Sequence, residues 1–273
     1  MLMLVCSQVL VAQSEVLLKA GYQPKKEYTM VTTIKMDGMM DISGAQEMMD
    51  QLAASGMTFP IPMSMANDTE VTIKTMAREA DGRVPATMTY DKVSASVTMM
   101  GVDQVIENPL AGTEIKGWYD EGGKFTVESA PGLGEQFSAE DIQNLMNQVQ
   151  QSVEFPDRPL KVGESFTQTT PMNVPIASMG SLTMKIEAVY TVLKIGNRVA
   201  VLGVEMKVEM EAGMEVANAI ATGTGKGECI YDIGAETITA TDLALDYTIS
   251  MDVQGMKMTL KMDTKTKQTV EIR

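Results

Sequence analysis

A chain of 273 residues with a net charge of −14 and no histidine is long enough for one large β domain or two small ones. Without histidine it lacks the commonest general base and a leading zinc ligand. Its negative charge, spread along the chain, repels phosphate backbones and anionic lipid surfaces, which excludes nucleic acid as a partner and disfavours anionic membranes.

Methionine is frequent, at 26 residues, while Trp118 is the one tryptophan. In chain order, the first apolar run, MLMLVCSQVLVA, is too short to span a bilayer, and no transmembrane span is expected elsewhere. It reads as the h-region of a secretory signal peptide without its basic n-region, so residues 1–13 are expected to be removed on export to a bacterial periplasm or outer envelope. Cys6 would leave with them, and Cys229 alone builds no disulfide framework. A first β repeat is expected over 14–137. Within it Tyr28 to Met36 alternates, with Tyr28, Met30, Thr32, Ile34 and Met36 on one face, as a strand requires. Residues 44–55 change period. Ser43 and Gln46 make a capping box, Ala45, Met48, Met49, Leu52 and Ala53 share a face, and Gly56 stands where a helix ends. Phe59-Pro60-Ile61-Pro62 reads as a connector. Thr69 to Tyr90 reads as two strands joined at Asp81-Gly82, a pair suited to a type I′ hairpin. Val93 to Met100 and Trp118 to Val127 add strands, the latter turning at Asp120-Glu121-Gly122-Gly123. A second helix is expected over 138–153, capped by Ser138, with Ile142, Leu145, Met146, Val149 and Val153 as its buried stripe.

A second β repeat is expected over 154–273, continuous with the first. In Val199 to Ala212, VAVLGVEMKVEMEA, Ala200, Leu202, Val204, Met206, Val208, Met210 and Ala212 fall on one side and Glu205, Lys207, Glu209 and Glu211 on the other. A helix would scatter those charges, so the period decides for strand. Thr183 to Val192 and Met256 to Met262 alternate likewise. Thr69–Gly101 and Ser181–Gly213 match in length, and their turns Asp81-Gly82-Arg83 and Gly196-Asn197-Arg198 fall in register. Tyr119-Asp120 matches Tyr231-Asp232 downstream. The same order of strands and turns twice over implies an internal duplication.

The opening near Gly21 to Tyr28, the long meanders, the helix and the restart Pro159-Leu160-Lys161-Val162-Gly163-Glu164-Ser165-Phe166 resemble a group of exported bacterial proteins of unknown function, over most of the chain after Gly21. Many antiparallel strands with two covering helices also resemble, in architecture, the open-barrel lipoprotein carriers of the bacterial envelope (the LolA-like fold). Such a likeness implies fold and does not fix function.

Candidate chemistry is thin. Gly223 to Gly227 lacks the spacing and the Ser or Thr of a phosphate loop, and alternate glycines bare one strand face for a bend or a close neighbour. Cys229 has no histidine to activate it and reads as a buried structural thiol. Carboxylate pairs such as Asp37/Asp41 and Asp242/Asp246 lack aromatic platforms for a sugar. Asp120 and Asp232 suit turn caps. Methionines alternating with charges along strands face one side of a sheet, which argues against copper-binding loops. No cofactor, metal or catalytic residue is expected.

The expected fold is mainly β: a duplicated antiparallel sheet, open or closed as a barrel or sandwich, with two short amphipathic helices on its apolar face. So much one-faced sheet exceeds what two helices cover. A non-enzymatic protein is expected, holding a lipid, acyl chain or lipidated partner against Met184, Ile186, Met206, Val208, Met210, Met251, Met258, Leu260 and Met262, because thioether side chains adapt to variable shapes. The alternative is a structural or protein-interaction module with a closed core that meets a protein partner in the envelope.

Overall fold

The structure, a computed structural model, describes residues 15–54, 56, 58–106, 110–131, 142–143, 153–176, 180–210, 219–253 and 255–273. In the stretch that the sequence reads as the first repeat the elements are β1 (Glu15–Val16), β2 (Glu27–Ser43), α1 (Gln46–Ala54), β3 (Ile61–Thr75), β4 (Val84–Met99), β5 (Val102–Ile106), β6 (Glu114–Tyr119) and β7 (Phe125–Ser129). Those of the second are β8 (Leu160–Lys161), β9 (Ser165–Ile176), β10 (Gly180–Ile195), β11 (Val199–Met210), β12 (Ile220–Asp232), β13 (Thr237–Val253) and β14 (Met256–Ile272).

A single 12-stranded sheet runs through both repeats in the order β7-β6-β4-β3-β2-β14-β13-β12-β11-β10-β9, with β5 paired to β4. Every pairing is antiparallel. The run from β2 to β7 and the run from β9 to β13 cross the sheet in the same direction, and β14 joins them. Among the described residues β7 and β9 do not pair, so the sheet is open and is not a closed barrel.

Register carries the alternation across the whole sheet. The row Val71, Met30, Val270, for example, stands in line on β3, β2 and β14. Following such rows, the strands place no Asp, Glu, Lys or Arg on one face among the described residues, while the other face carries the charges. Every strand methionine with a described side chain except Met39 lies on the charge-free face. Sheets with one wet face show this division because each buried apolar side chain gains roughly 1.5–3 kcal/mol and a buried charge costs more.

At the end of the sheet holding Tyr28, that face is packed in two lobes. In the first, Tyr28, Ile73, Met88, Ile115 and Tyr119 are buried beneath Tyr22 and Ile142. Tyr22 stacks on Tyr119 with centroids 3.9 Å apart. In the second, Val192, Leu202 and Tyr231 are buried with Val16, Leu18 and Leu160, and β1 pairs with β8 to form the small second sheet over them. The Tyr231 hydroxyl donates to the Lys19 carbonyl (3.0 Å) and accepts from its N–H (2.9 Å), tying this plug down.

Several local expectations change. The loop after β3 is not a type I′ hairpin. Gly82 N–H donates to the Glu79 carbonyl (3.1 Å), and only Gly82 takes a positive φ (91°). This is a type I turn closed by a left-handed glycine, which spares Asp81 the left-handed region. A two-residue turn with both φ positive occurs instead at Met100-Gly101 (53° and 77°), followed by β5. Helix α1 forms, and of its expected apolar face Ala45 and Ala53 are exposed and Met49 is half-buried. The helix expected over 138–153 lies mostly outside the described residues, of which 142–143 are helical. The leader expected over 1–13, and Ala212, also lie outside them.

Candidate functional site

The nine residues expected to meet a ligand all project from the charge-free face, on β10, β11, β13 and β14. Met184 stands opposite Met210, Ile186 opposite Val208, and Met251 opposite Met258. All but Met262 gather in one cluster with Ala221, Leu245 and Ile249. Met184, Val208 and Met251 are buried there, and the others are half-buried. On this part of the face Met184, Val208 and Met251 are thus covered by their neighbours, while the half-buried members keep part of their surface open.

Its shape follows from the glycines of β12. A β-carbon built on Gly223 would lie 2.5 Å from the Asp246 carbonyl oxygen, and one on Gly225 2.6 Å from that of Ala244. β13 leans over the glycine face of β12 more closely than any larger residue permits, so the stripe bends the sheet towards its apolar side. Gly223 to Gly227 is strand throughout and makes no phosphate loop.

More open apolar surface lies on the first repeat, at the sheet end remote from Tyr28. Met36, Met65 and Val97 stand in one row, and Gly38, Met63, Met99 and Val102 in the next. Met65 is 40% exposed, Met99 39%, Val102 58% and Ile106 47%. Met262 links the two regions, its thioether lying over Gly38, directly opposite on β2. Met63 and Met65 fall outside the strands that the sequence predicts, because Ile61 and Pro62 read as connector, whereas they open β3. The alternation Ile61, Met63, Met65 was the available signal.

The charged face holds other features. Asp37, Asp263 and Asp246 stand side by side on β2, β14 and β13. They line a trough of about 1050 Å³ that also takes in Met39, Thr98 and Lys207. A hydrogen bond to the Asp263 carboxyl raises the Asp246 pKa. All three carboxylates are exposed, so the row lacks the buried setting in which a general acid is made. Cys229 is buried on β12, where burial pushes its thiol up and Thr241 donates to its sulfur at 3.7 Å. Asp120 and Asp232 cap their turns, accepting from Lys124 N–H (2.8 Å) and from the N–H groups of Gly234 and Ala235 (2.8 and 2.9 Å). Among the described residues no group of three His, Cys, Asp or Glu is placed to hold a metal ion. No helix among them is long and apolar enough to cross a membrane.

No family model and no curated protein matches the chain. Among solved structures it is similar at 8% identity to the binding domain of botulinum neurotoxin serotype C1, over 88% of this chain and 78% of that one, with a TM-score of 0.16. A second structure, described as showing that cell entry of botulinum neurotoxin type C depends on two ganglioside molecules, matches at 9% identity over the same shares, with a TM-score of 0.13. At these scores neither carries an argument about fold or function.

Proposed function

We propose that this protein is a non-enzymatic binding protein of the bacterial envelope that holds the hydrocarbon chain of a lipid or lipidated partner against the thioether-lined face of its first repeat. The observation that carries the reading is an open sheet whose apolar face has no ionised side chain among the described residues and meets solvent at Met65, Met99, Val102 and Ile106. A face without a counter-charge selects an uncharged chain and leaves any ionised head group at the rim, in water.

The expected affinity is modest. A chain laid on one face loses about half its water contact, roughly 0.4 of the ~0.8 kcal/mol for each fully buried methylene. About fourteen methylenes then give ~6 kcal/mol, a dissociation constant in the tens of micromolar. Native mass spectrometry after gentle purification, lipid extraction and uptake of a fluorescent fatty acid test this. Met65→Lys combined with Met99→Lys should abolish uptake, with circular dichroism checking that the variant stays folded. Finding neither co-purified amphiphile nor uptake would sink the proposal.

A further inference from the structure

The edges of the sheet are treated unequally. β7 is closed by a side chain: Val127 N–H donates to Gln143 Oε1 (2.7 Å) and Gln143 Nε2 donates to the Phe125 carbonyl (3.1 Å), so an amide stands in for the next strand. β9 carries Pro171 and Pro175, which have no N–H to offer an incoming strand. β5, VDQVI, has neither device among the described residues and is exposed along its whole length. Val105 is 80% exposed, and Met100 beside the strand 54%.

The two-residue turn Met100-Gly101 makes Met99 and Val102 a hydrogen-bonded pair, as in a type I′ hairpin. Alternation then points the N–H and C=O groups of Val102, Gln104 and Ile106 towards β4 and turns those of Asp103 and Val105 outwards.

We propose that β5 is a self-association edge, at which two copies of this chain pair antiparallel about a twofold axis through Gln104. In that register Asp103 of each copy opposes Val105 of the other, and the outward groups of both copies make four backbone hydrogen bonds. Val102 opposes Ile106 on the apolar face, and no charge meets its like directly. The contact is isologous and closes at two copies. It makes the apolar faces of the pair continuous across the seam, with the exposed Val102 of one copy beside the exposed Ile106 of the other. Five residues from each copy fall short of the ~1,200 Å² typical of stable complexes, so the dissociation constant belongs on the order of 0.1 mM. Two copies of charge −14 repel, so salt should strengthen the dimer by screening.

Sedimentation equilibrium of the full chain, from tens of micromolar to about half-millimolar, tests this. The mass should climb from 29.6 kDa towards twice that value, further in high salt than in low. Amides of Asp103 and Val105 should gain exchange protection with concentration, while those of Gln104 and Ile106 stay protected throughout. Val105→Pro removes an outward N–H and leaves the β4–β5 ladder intact. Val105→Lys places a charge at the seam. Both should stay monomeric with unchanged circular dichroism, and the lysine variant decides the matter if the proline one alters the spectrum. A monomer under all conditions, a dimer that persists in the folded variants, or growth beyond two copies would each overturn the proposal.

Discussion

Alanine at Gly227 tests how the apolar face acquires its curvature. None of Gly223, Gly225 and Gly227 has a positive φ, so an L residue suits the backbone, and alanine by itself should stabilise by about 0.4–1 kcal/mol through the unfolded chain. Space decides the other way. A β-carbon on Gly227 would lie 2.7 Å from Leu243 Cδ2 and 2.8 Å from Leu243 Cα, and closer still to the Asp242 carbonyl oxygen. The leucine methyl can swing aside, but the backbone atoms yield only if β13 lifts away from β12. Overpacking of this kind costs about 1–3 kcal/mol, and after the chain-entropy gain a net loss of about 1–2 kcal/mol remains. With a urea slope of about 3 kcal/mol/M, the unfolding midpoint should fall by roughly 0.3–0.7 M. Gly21, with nothing within 4 Å of its built β-carbon, is the control, and its alanine variant should keep or raise the midpoint. Urea unfolding followed by circular dichroism reads both. A Gly227→Ala midpoint at or above wild type would refute the assignment of the glycine stripe as the bend.

Burial pushes the phenols of Tyr90, Tyr190 and Tyr231 to about 12. Their folded values exceed the unfolded ~10, so the stability they lend is whole below pH 10 and is lost as pH climbs through 12. Absorbance at 295 nm should show cooperative unfolding in that window, and independent titration of all seven tyrosines near 10 would contradict it. Gln143→Ala removes the amide that closes β7 and leaves Val127 N–H and the Phe125 carbonyl open, which should cost about 1–3 kcal/mol in urea unfolding. Asp263→Asn removes the middle charge of three opposed carboxylates. The raised pKa of Asp246 favours the fold below the ordinary Asp value and loses that contribution as pH rises, so the variant should melt higher than wild type at pH 7, with the gap closing near pH 3.

Alternation was the legible part. From Thr183 to Val192, Val199 to Met210 and Met256 to Met262, one residue in two faces the apolar side, because a pleated strand allows nothing else once one face is dry. The matched turns at Asp120 and Asp232 could also be read, since a carboxylate accepting from backbone N–H groups is a local arrangement. What sequence period could not show is which apolar residues a neighbour covers. Met184 and Met65 occupy equivalent alternating positions, yet one is fully buried and the other 40% exposed. The difference lies in the bend at Gly223 to Gly227 and in what packs over each repeat, both long-range properties. β5 was missed because Met100 has a left-handed φ, a turn position that sequence assigns to glycine or asparagine before methionine.

The same edge devices explain why so large a one-faced sheet stops short of a barrel. Closure would require β7 to pair with β9, which together with the existing order would leave no edge along that seam. The outward donor and acceptor of β7, Val127 N–H and the Phe125 carbonyl, are already engaged by Gln143, and β9 offers prolines at two of its positions. Five residues of β7 could in any case meet only part of the 12 in β9. Pairing would exchange two satisfied hydrogen bonds for an incomplete ladder, a poor trade when each unmet backbone group costs about 1–3 kcal/mol. The open sheet is thus set by local chemistry at its two ends. Because β5 then stands alone on the first-repeat side, the exposed thioether rows and the unprotected edge occur at the same corner. A ligand on Met65 and Met99 and a second copy on β5 would therefore compete for neighbouring surface or share it, and the concentration dependence of fatty-acid uptake would tell which.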